Sequence, residues 1–253
     1  MKFDTFDKQM RKYEQSLDQI IPSDNYMVAR LDGKGFSKLT KEQLDLKKPF
    51  DEKFRDCFID AVKLLFNTGF EIIYAYIESD EVSLLFSKNA TLYNRKVRKY
   101  NSILAAEMST NLTQILGTKA IFDCRLIPLP TIQEVTDYFL WRQEDSHRNS
   151  LYAHCYYKLL EIGMNYIEAT NYLRNKLLDD KIKLLAQNGI CIDKIPSWEM
   201  YGYGIYNKET SIEGYNPIKK IVETTIRKTL YADYKLPRGN QYREFIIGLL
   251  EKC

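Results

Sequence analysis

Residues 71–87 read EIIYAYIESDEVSLLFS, two runs of β-branched and aromatic side chains parted by the polar stretch Glu78-Ser79-Asp80-Glu81. Such a pattern reads as a hairpin whose turn is acidic. Working back from it, residues 50–68 carry Phe54, Phe58, Ala61, Leu64 and Leu65 at the spacing of one helical face, and Gly69 provides the stop. Residues 26–31 form a short, mostly apolar strand ending at Asp32-Gly33-Lys34-Gly35, where two glycines permit a tight turn. Beyond the hairpin, Thr91 is placed to cap a helix over 91–117, and residues 119–129 alternate, with Phe122, Cys124 and Leu126 opposite Asp123 and Arg125. The order strand, helix, strand, strand, helix, strand predicts an α+β fold: a ferredoxin-like (βαββαβ) antiparallel sheet with both helices on one face.

After Pro128 and Pro130 the composition turns to helix formers over 131–143, 146–163, 168–178 and 181–188. Short strands are expected at 200–206 and 222–231, and a closing helix at 241–250. The chain therefore divides into a core, 1–130, and a helical extension, 131–253, packed on it as one structural unit. With 253 residues, 45% of them hydrophobic and 28% charged, the chain can bury a large core and is not disordered. The longest apolar runs, 72–77 and 82–86, fall far short of the roughly 20 residues a membrane-spanning helix needs. Residues 1–15 mix charges of both signs and have no apolar stretch of the signal-peptide kind, so a cytoplasmic protein is expected. A net charge of +3 is too small to imply a nucleic-acid partner by itself. The five cysteines are widely spaced and never paired as CxxC, which argues against a zinc site or a disulfide framework.

In a split strand-helix-strand sheet the first strand lies beside the third. Asp32, at the end of the first strand, and Asp80, in the hairpin turn, then converge at one end of adjacent strands. Mg²⁺ takes one or two carboxylates together with substrate phosphates and water, and two such ions about 4 Å apart activate a hydroxyl and stabilise a leaving pyrophosphate. The Gly33 carbonyl offers a further oxygen, and Ser79 and Glu81 flank Asp80. Either aspartate alone is also an ordinary turn residue; their joint placement is what favours a site. Arg95, Arg98 and Lys99 fall at spacings of three and four near the start of the second helix, with Lys96 beside them. That face suits a polyanion, since a helix N-terminus adds N–H donors and partial positive charge, although a solvated charged face has the same composition. Lys34, Lys48 and Arg125 are further phosphate candidates, while Gly33-Lys34-Gly35 is too short for a Walker loop and excludes a P-loop hydrolase. With His147 and His154 the only histidines, carboxylates must supply most of the chemistry.

Arg30-Leu31-Asp32-Gly33-Lys34-Gly35-Phe36, Lys48-Pro49, Ser79-Asp80-Glu81, Phe122-Asp123-Cys124-Arg125, Tyr138-Phe139-Leu140-Trp141-Arg142-Gln143 and Asp145-Ser146-His147-Arg148-Asn149 together resemble the tRNA-histidine guanylyltransferase superfamily in order and spacing. The resemblance implies a core similar to the palm of polymerases, in a nucleotidyltransferase that extends tRNA in reverse, from 3′ to 5′, at its 5′ end. A 5′-monophosphate is first activated, usually by ATP, and the 3′-hydroxyl of an incoming triphosphate, GTP or another, then attacks; a 5′-triphosphate bypasses activation. Carried onto the matching positions, Asp32, the Gly33 carbonyl and Asp80 would hold two Mg²⁺ ions, with Glu81 assisting. Lys34, Gly35, Phe36, Lys48, Ser79 and Lys99 would contact a nucleoside triphosphate. Arg95, Lys96, Arg125, His147 and Asn149 would meet a second triphosphate or the RNA 5′ end. The family's tetramers imply a homo-tetramer here.

Eukaryotic histidine-specific members carry HINNLYN where this chain has His147-Arg148-Asn149-Ser150-Leu151-Tyr152-Ala153, which resembles the "Thg1-like protein" branch. That branch implies template-dependent repair of 5′-truncated tRNA rather than obligatory addition of one guanylate to histidine tRNA. Two further readings stay open: a palm-fold nucleotide cyclase, although its GGDEF-type turn is absent, and an RNA-recognition module stacking bases on Tyr74 and Tyr76.

Overall fold

One antiparallel sheet of six strands runs through the molecule in the order β4-β1-β3-β2-β5-β6. Its strands are β1 (Tyr26–Gly33), β2 (Ile72–Glu78), β3 (Glu81–Phe86), β4 (Phe122–Leu129), β5 (Tyr203–Asn216) and β6 (Ile221–Asp233). This computed structural model describes residues 2–216 and 220–252. Strand alternation sorts the side chains between two cores. Met27, Ala29 and Leu31 of β1 face α3 (Glu52–Leu65) and α4 (Val97–Leu116), and meet Phe58, Val62, Leu104 and Met108 there. Val28, Tyr74, Tyr76 and Leu85 point to the opposite face, under α5 (Ile132–Glu161) and α9 (Asn240–Glu251). A sheet covered on both sides needs strands apolar on both sides, which is why β2 and β3 read as nearly continuous apolar runs. A third cluster joins the second half of α5, through Leu151, Cys155 and Leu159, to α6 (Tyr166–Leu173), α7 (Leu178–Gln187) and α8 (Ser197–Tyr201).

The hairpin, the first helix and the alternating fourth strand lie where the sequence predicts them. Four readings change. The strands expected to be short, at 200–206 and 222–231, are β5 and β6, of 14 and 13 residues, and they extend the sheet beyond β2 instead of sitting in a separate helical half. Residues 131–143 and 146–163 are one helix, α5, because no proline or glycine interrupts 132–161; a capping box between Thr131 and Glu134 starts it. The second helix does not run from Thr91. A short 3-10 turn, Leu92–Arg95, comes first, with Tyr93, Asn94 and Arg95 at φ of 50°, 54° and 57°, and α4 begins at Val97. Finally, Leu64 is exposed rather than part of the core face. At the N-terminus, α1 (Phe3–Gln15), not expected from the sequence, buries none of its residues. Among the described residues no helix is long and apolar enough to cross a membrane.

Candidate active site

The two residues between β2 and β3 are Ser79 and Asp80, and Glu78 and Glu81 close the hairpin as register partners. Ser79 takes φ 51°, a left-handed conformation that an L-residue adopts at a cost, and its Oγ donates to Asp80 Oδ1 at 3.0 Å. On the neighbouring strand, Asp32 of β1 pairs with Glu81 of β3, and the Gly33 amide donates to the Asp80 carbonyl at 3.1 Å. The two aspartates are thus carried to the same end of adjacent strands. Gly33 has no room for a side chain: a Cβ there would lie 2.4 Å from Phe36 Cδ2 and 2.9 Å from Asp80 Oδ2. Phe36, buried beneath it against Phe58 and Phe122, belongs to the core. Burial pushes the Asp80 carboxyl above the ordinary carboxylate range; the Ser79 hydroxyl pulls it back and the charge of Asp32 adds to the rise.

Behind the turn sits a buried arginine. From α5, Arg142 sends one terminal nitrogen to Glu78, places Nε 2.8 Å from Glu81 Oε1, and places its other terminal nitrogen 3.2 Å from Asp145 Oδ2. Arg30 faces the second oxygen of Glu81 at 3.6 Å. Burial raises Glu78 to about 8 against the pull of Arg142, and it raises Glu81 also. Five carboxyl groups, those of Asp32, Glu78, Asp80, Glu81 and Asp145, gather at this end of the sheet, where Arg30, Arg142 and Arg148 pair only with Glu78, Glu81 and Asp145. Asp32 and Asp80 have no guanidinium partner among the described residues, and a divalent cation would relieve their charge. Among the described residues no three His, Cys, Asp or Glu side chains converge into a complete metal-holding group. The donor set suits Mg²⁺ even so, because Mg²⁺ makes up its shell from one or two carboxylates, water and substrate phosphates.

Asp32, Ser79, Asp80 and Glu81 open onto a cleft of about 540 Å³. It is also lined by Lys41, Lys47 and Lys48, from the segment that joins the short helix α2 (Phe36–Lys38) to α3, and by aromatic side chains including Phe50 and Trp198. The Lys48 ammonium donates to the Thr40 carbonyl at 2.7 Å; burial and the charge of Lys41 lower its pKa, with Asp51 opposing. Asp51 caps α3 by accepting from the Phe54 amide at 2.9 Å. Acidic and basic side chains lining one cleft can together grip a polyphosphate, the lysines directly and the carboxylates through cations.

Of the residues singled out in the sequence, the structure brings Asp32, Asp80, Glu81, Ser79, Lys48 and Asn149 to this cleft. Gly33 adjoins it through Asp80. Lys34 and Gly35 are exposed on the turn leaving β1, and neither lines the cleft. The basic group at the start of α4 does not form the face expected from its spacing. Arg95 precedes the helix and is buried, donating to the carbonyls of Ser23 at 3.2 Å and Asn25 at 2.5 Å. Lys96 and Arg98 both engage Asp18, at 3.1 and 2.5 Å, and Lys99 lies over the Tyr93 ring. Arg125 is exposed on β4, and His147 packs on Tyr201 with ring centroids 4.9 Å apart. None of these lines the cleft. Tyr74 and Tyr76 are fully buried, their hydroxyls bonded to Tyr242 and to the Tyr201 carbonyl, so they offer no platform for bases. Sequence reasoning missed Arg142, Glu78 and Asp145 as parts of the site. The signal was present in the Trp141-Arg142-Gln143 segment, but a charged residue on a long helix looks like a surface residue.

Two family models cover most of the chain: one described as tRNAHis guanylyltransferase matches residues 7–130, and a Thg1 C terminal domain matches 133–233. The chain belongs to the tRNA(His) guanylyltransferase family. That makes it an enzyme of the nucleotidyltransferase class. A tRNA(His) guanylyltransferase of Debaryomyces hansenii is 35% identical over 174 residues, 64% of this chain and 65% of the relative, so that match spans just under two thirds of the relative's length. One of Candida glabrata is 31% identical over 78% of this chain and 90% of its own. Among solved structures, a bacterial tRNA(HIS) guanylyltransferase (Thg1)-like protein in complex with ATP superposes with a TM-score of 0.75 at 23% identity, covering 96% of this chain and 97% of that one. The tRNA(His) guanylyltransferase of Saccharomyces cerevisiae gives 0.67 at 24% identity, covering 85% and 95%. At these identities the structural matches speak to the fold.

Proposed function

We propose that this member of the tRNA(His) guanylyltransferase family is a Mg²⁺-dependent 3′-to-5′ polymerase that restores nucleotides at the 5′ end of truncated tRNA. The observation that carries the reading is the placement of Asp32 at the end of β1 and Asp80 in the turn that enters the adjacent antiparallel strand β3, both lining a cleft that lysines also line. In this reading the β4-β1-β3-β2 part of the sheet serves as a ferredoxin-like, polymerase-palm-like core within residues 1–130, and 131–253 is an extension that supplies Arg142 and the far wall of the cleft.

Asp32, the Gly33 carbonyl and Asp80 would hold Mg²⁺. Bound there, Mg²⁺ neutralises phosphate charge and favours ionisation of an attacking hydroxyl. Lys48, with Lys41 and Lys47 nearby, binds the triphosphate of the incoming nucleotide, and Ser79 contacts it from the turn. The reaction is a displacement at phosphorus. The 3′-hydroxyl oxygen of the incoming nucleoside triphosphate bonds to the 5′-phosphorus of the tRNA. The bond from that phosphorus to its leaving group breaks, releasing AMP from an adenylylated end or pyrophosphate from a 5′-triphosphate, and the hydroxyl proton passes to solvent. The chain's part is to hold the reacting groups in line and to meet their charge with fixed partners.

Repair is preferred over guanylate addition to histidine tRNA because His147-Arg148-Asn149-Ser150-Leu151-Tyr152-Ala153 departs from the histidine-specific HINNLYN pattern. The names of the relatives support the alternative, addition of a single guanylate. An incorporation assay on full-length histidine tRNA and on 5′-truncated tRNAs, each with a 5′-monophosphate or 5′-triphosphate, separates the two. Templated extension of several truncated tRNAs is expected; preferential extension of histidine tRNA at its mature end would overturn the repair assignment.

A further inference from the structure

We propose that Arg142 is the positioning residue of the acidic turn: its guanidinium fixes where the Asp80 carboxylate stands relative to Asp32, and so how tightly a divalent cation is held. This inference rests on the reading of Asp32 and Asp80 as cation ligands.

Glu78 and Glu81 face each other across the end of the hairpin, and ionising both would set like charges directly opposite in an antiparallel pair, where they repel unless a cation stands between them. With Glu78 buried and Glu81 only partly exposed, solvent screens that repulsion poorly. Only two residues, Ser79 and Asp80, join the strands beyond this pair, so any parting of Glu78 from Glu81 displaces Asp80. Arg142 meets both glutamates at once and is itself 5% exposed. Its own place is fixed from both sides. One helical turn earlier, the Tyr138 hydroxyl lies 3.0 Å from the Ser83 hydroxyl of β3. The next residue, Gln143, donates to the Pro237 carbonyl at 3.0 Å. Asp145, 3.2 Å away on the same helix, holds the third side of the guanidinium. A planar fork can approach three carboxyl groups in three directions, whereas the single ammonium of a lysine cannot reach all of them.

The test is a Mn²⁺ titration of the full-length chain, read from the free-ion signal in electron paramagnetic resonance, with thermal unfolding of every variant in the absence of metal. In Arg142→Lys and Arg142→Ala the apparent Mn²⁺ affinity is expected to fall about tenfold or more, as when a group orienting a metal ligand is lost. Added guanidinium should restore it in Arg142→Ala. Should that variant not fold, the pair Glu78→Gln with Arg142→Met removes buried charge of both signs; it is expected to keep the wild-type thermal midpoint and still bind Mn²⁺ weakly. Wild-type affinity in Arg142→Lys and in the paired variant would overturn the positioning role. Asp80→Asn separates that failure from a deeper one: wild-type affinity in Asp80→Asn would instead remove the cation site on which the inference rests.

Discussion

Two turns in this molecule share an unusual combination of left-handed backbone and concentrated charge, yet they differ in what the charge is free to do. At Ser79-Asp80, Arg142 and Arg30 are outnumbered by carboxylates, and the surplus opens on a cleft. At Tyr93 to Arg95 the cations have partners: Arg95 takes two backbone carbonyls, and Lys96 and Arg98 share Asp18. Local sequence marks both turns as charged. What distinguishes a site from a structural clamp is unbalanced charge beside a cavity, and that depends on residues far away in the chain.

The comparison can be broken most sharply at the acidic turn. Asp32→Asn and Asp80→Asn are each expected to lower nucleotide transfer on the order of 10³-fold, the scale of losing a group that stabilises transition-state charge, with thermal unfolding showing an intact fold. Removing the cation behind the turn has a different signature. Arg142→Ala leaves Glu78, Glu81 and Asp145 without their shared partner and is expected to cost about 3–5 kcal/mol in chemical denaturation. At the other turn, Arg95→Met strands two backbone carbonyls and is expected to cost about 1–3 kcal/mol, while the Mg²⁺ dependence of activity stays as in the wild type. An altered Mg²⁺ dependence there would erase the distinction between the two turns.

A subtler probe is Asp18→Asn. Hydrogen bonds from Arg98 and Lys96 hold the Asp18 carboxyl below its ordinary range, so its contribution to stability is complete above the unfolded-state value and is lost as pH falls through the folded one. The difference in thermal midpoint between wild type and Asp18→Asn is therefore expected at neutral pH and should vanish in acid. The same substitution releases two cations, and a filter-binding titration should show slightly tighter, more salt-dependent RNA binding if that surface meets RNA. The smallest effect concerns the thiols. Burial pushes Cys124 up to about 12 and Cys155 up to about 11, whereas Cys191 is exposed. Alkylation near neutral pH should label Cys191 well before the other two, as peptide mapping would show.

Much of this arrangement was legible in the chain. The acidic hairpin stood out because its runs are β-rich and its break is made of turn residues, and the Asp32 strand because glycines follow it. The pairing of Asp32 beside the hairpin followed from strand order alone. The beginning of α4 was not legible, since nothing in Tyr93-Asn94-Arg95 announces three consecutive positive φ values; they are sustained by Arg95 reaching back to residues 23 and 25. Arg142 was hidden for a related reason: its partner Glu78 lies 64 residues earlier, and only the packing of α5 on the sheet brings them together. The extent of β5 and β6 was missed because polar residues such as Lys208, Glu209 and Thr210 do not alternate with apolar ones as a half-buried strand would.

The most direct measurement is 5′-end extension of a truncated, 5′-triphosphorylated tRNA by the wild-type protein and by Asp80→Asn, with Mg²⁺ present and after its removal by chelation. Extension by the wild type with Mg²⁺ alone, and almost none by a correctly folded Asp80→Asn protein, is the expected result. Near-normal extension by Asp80→Asn, or wild-type extension unaffected by chelation, would contradict the assignment of this cleft as the catalytic centre.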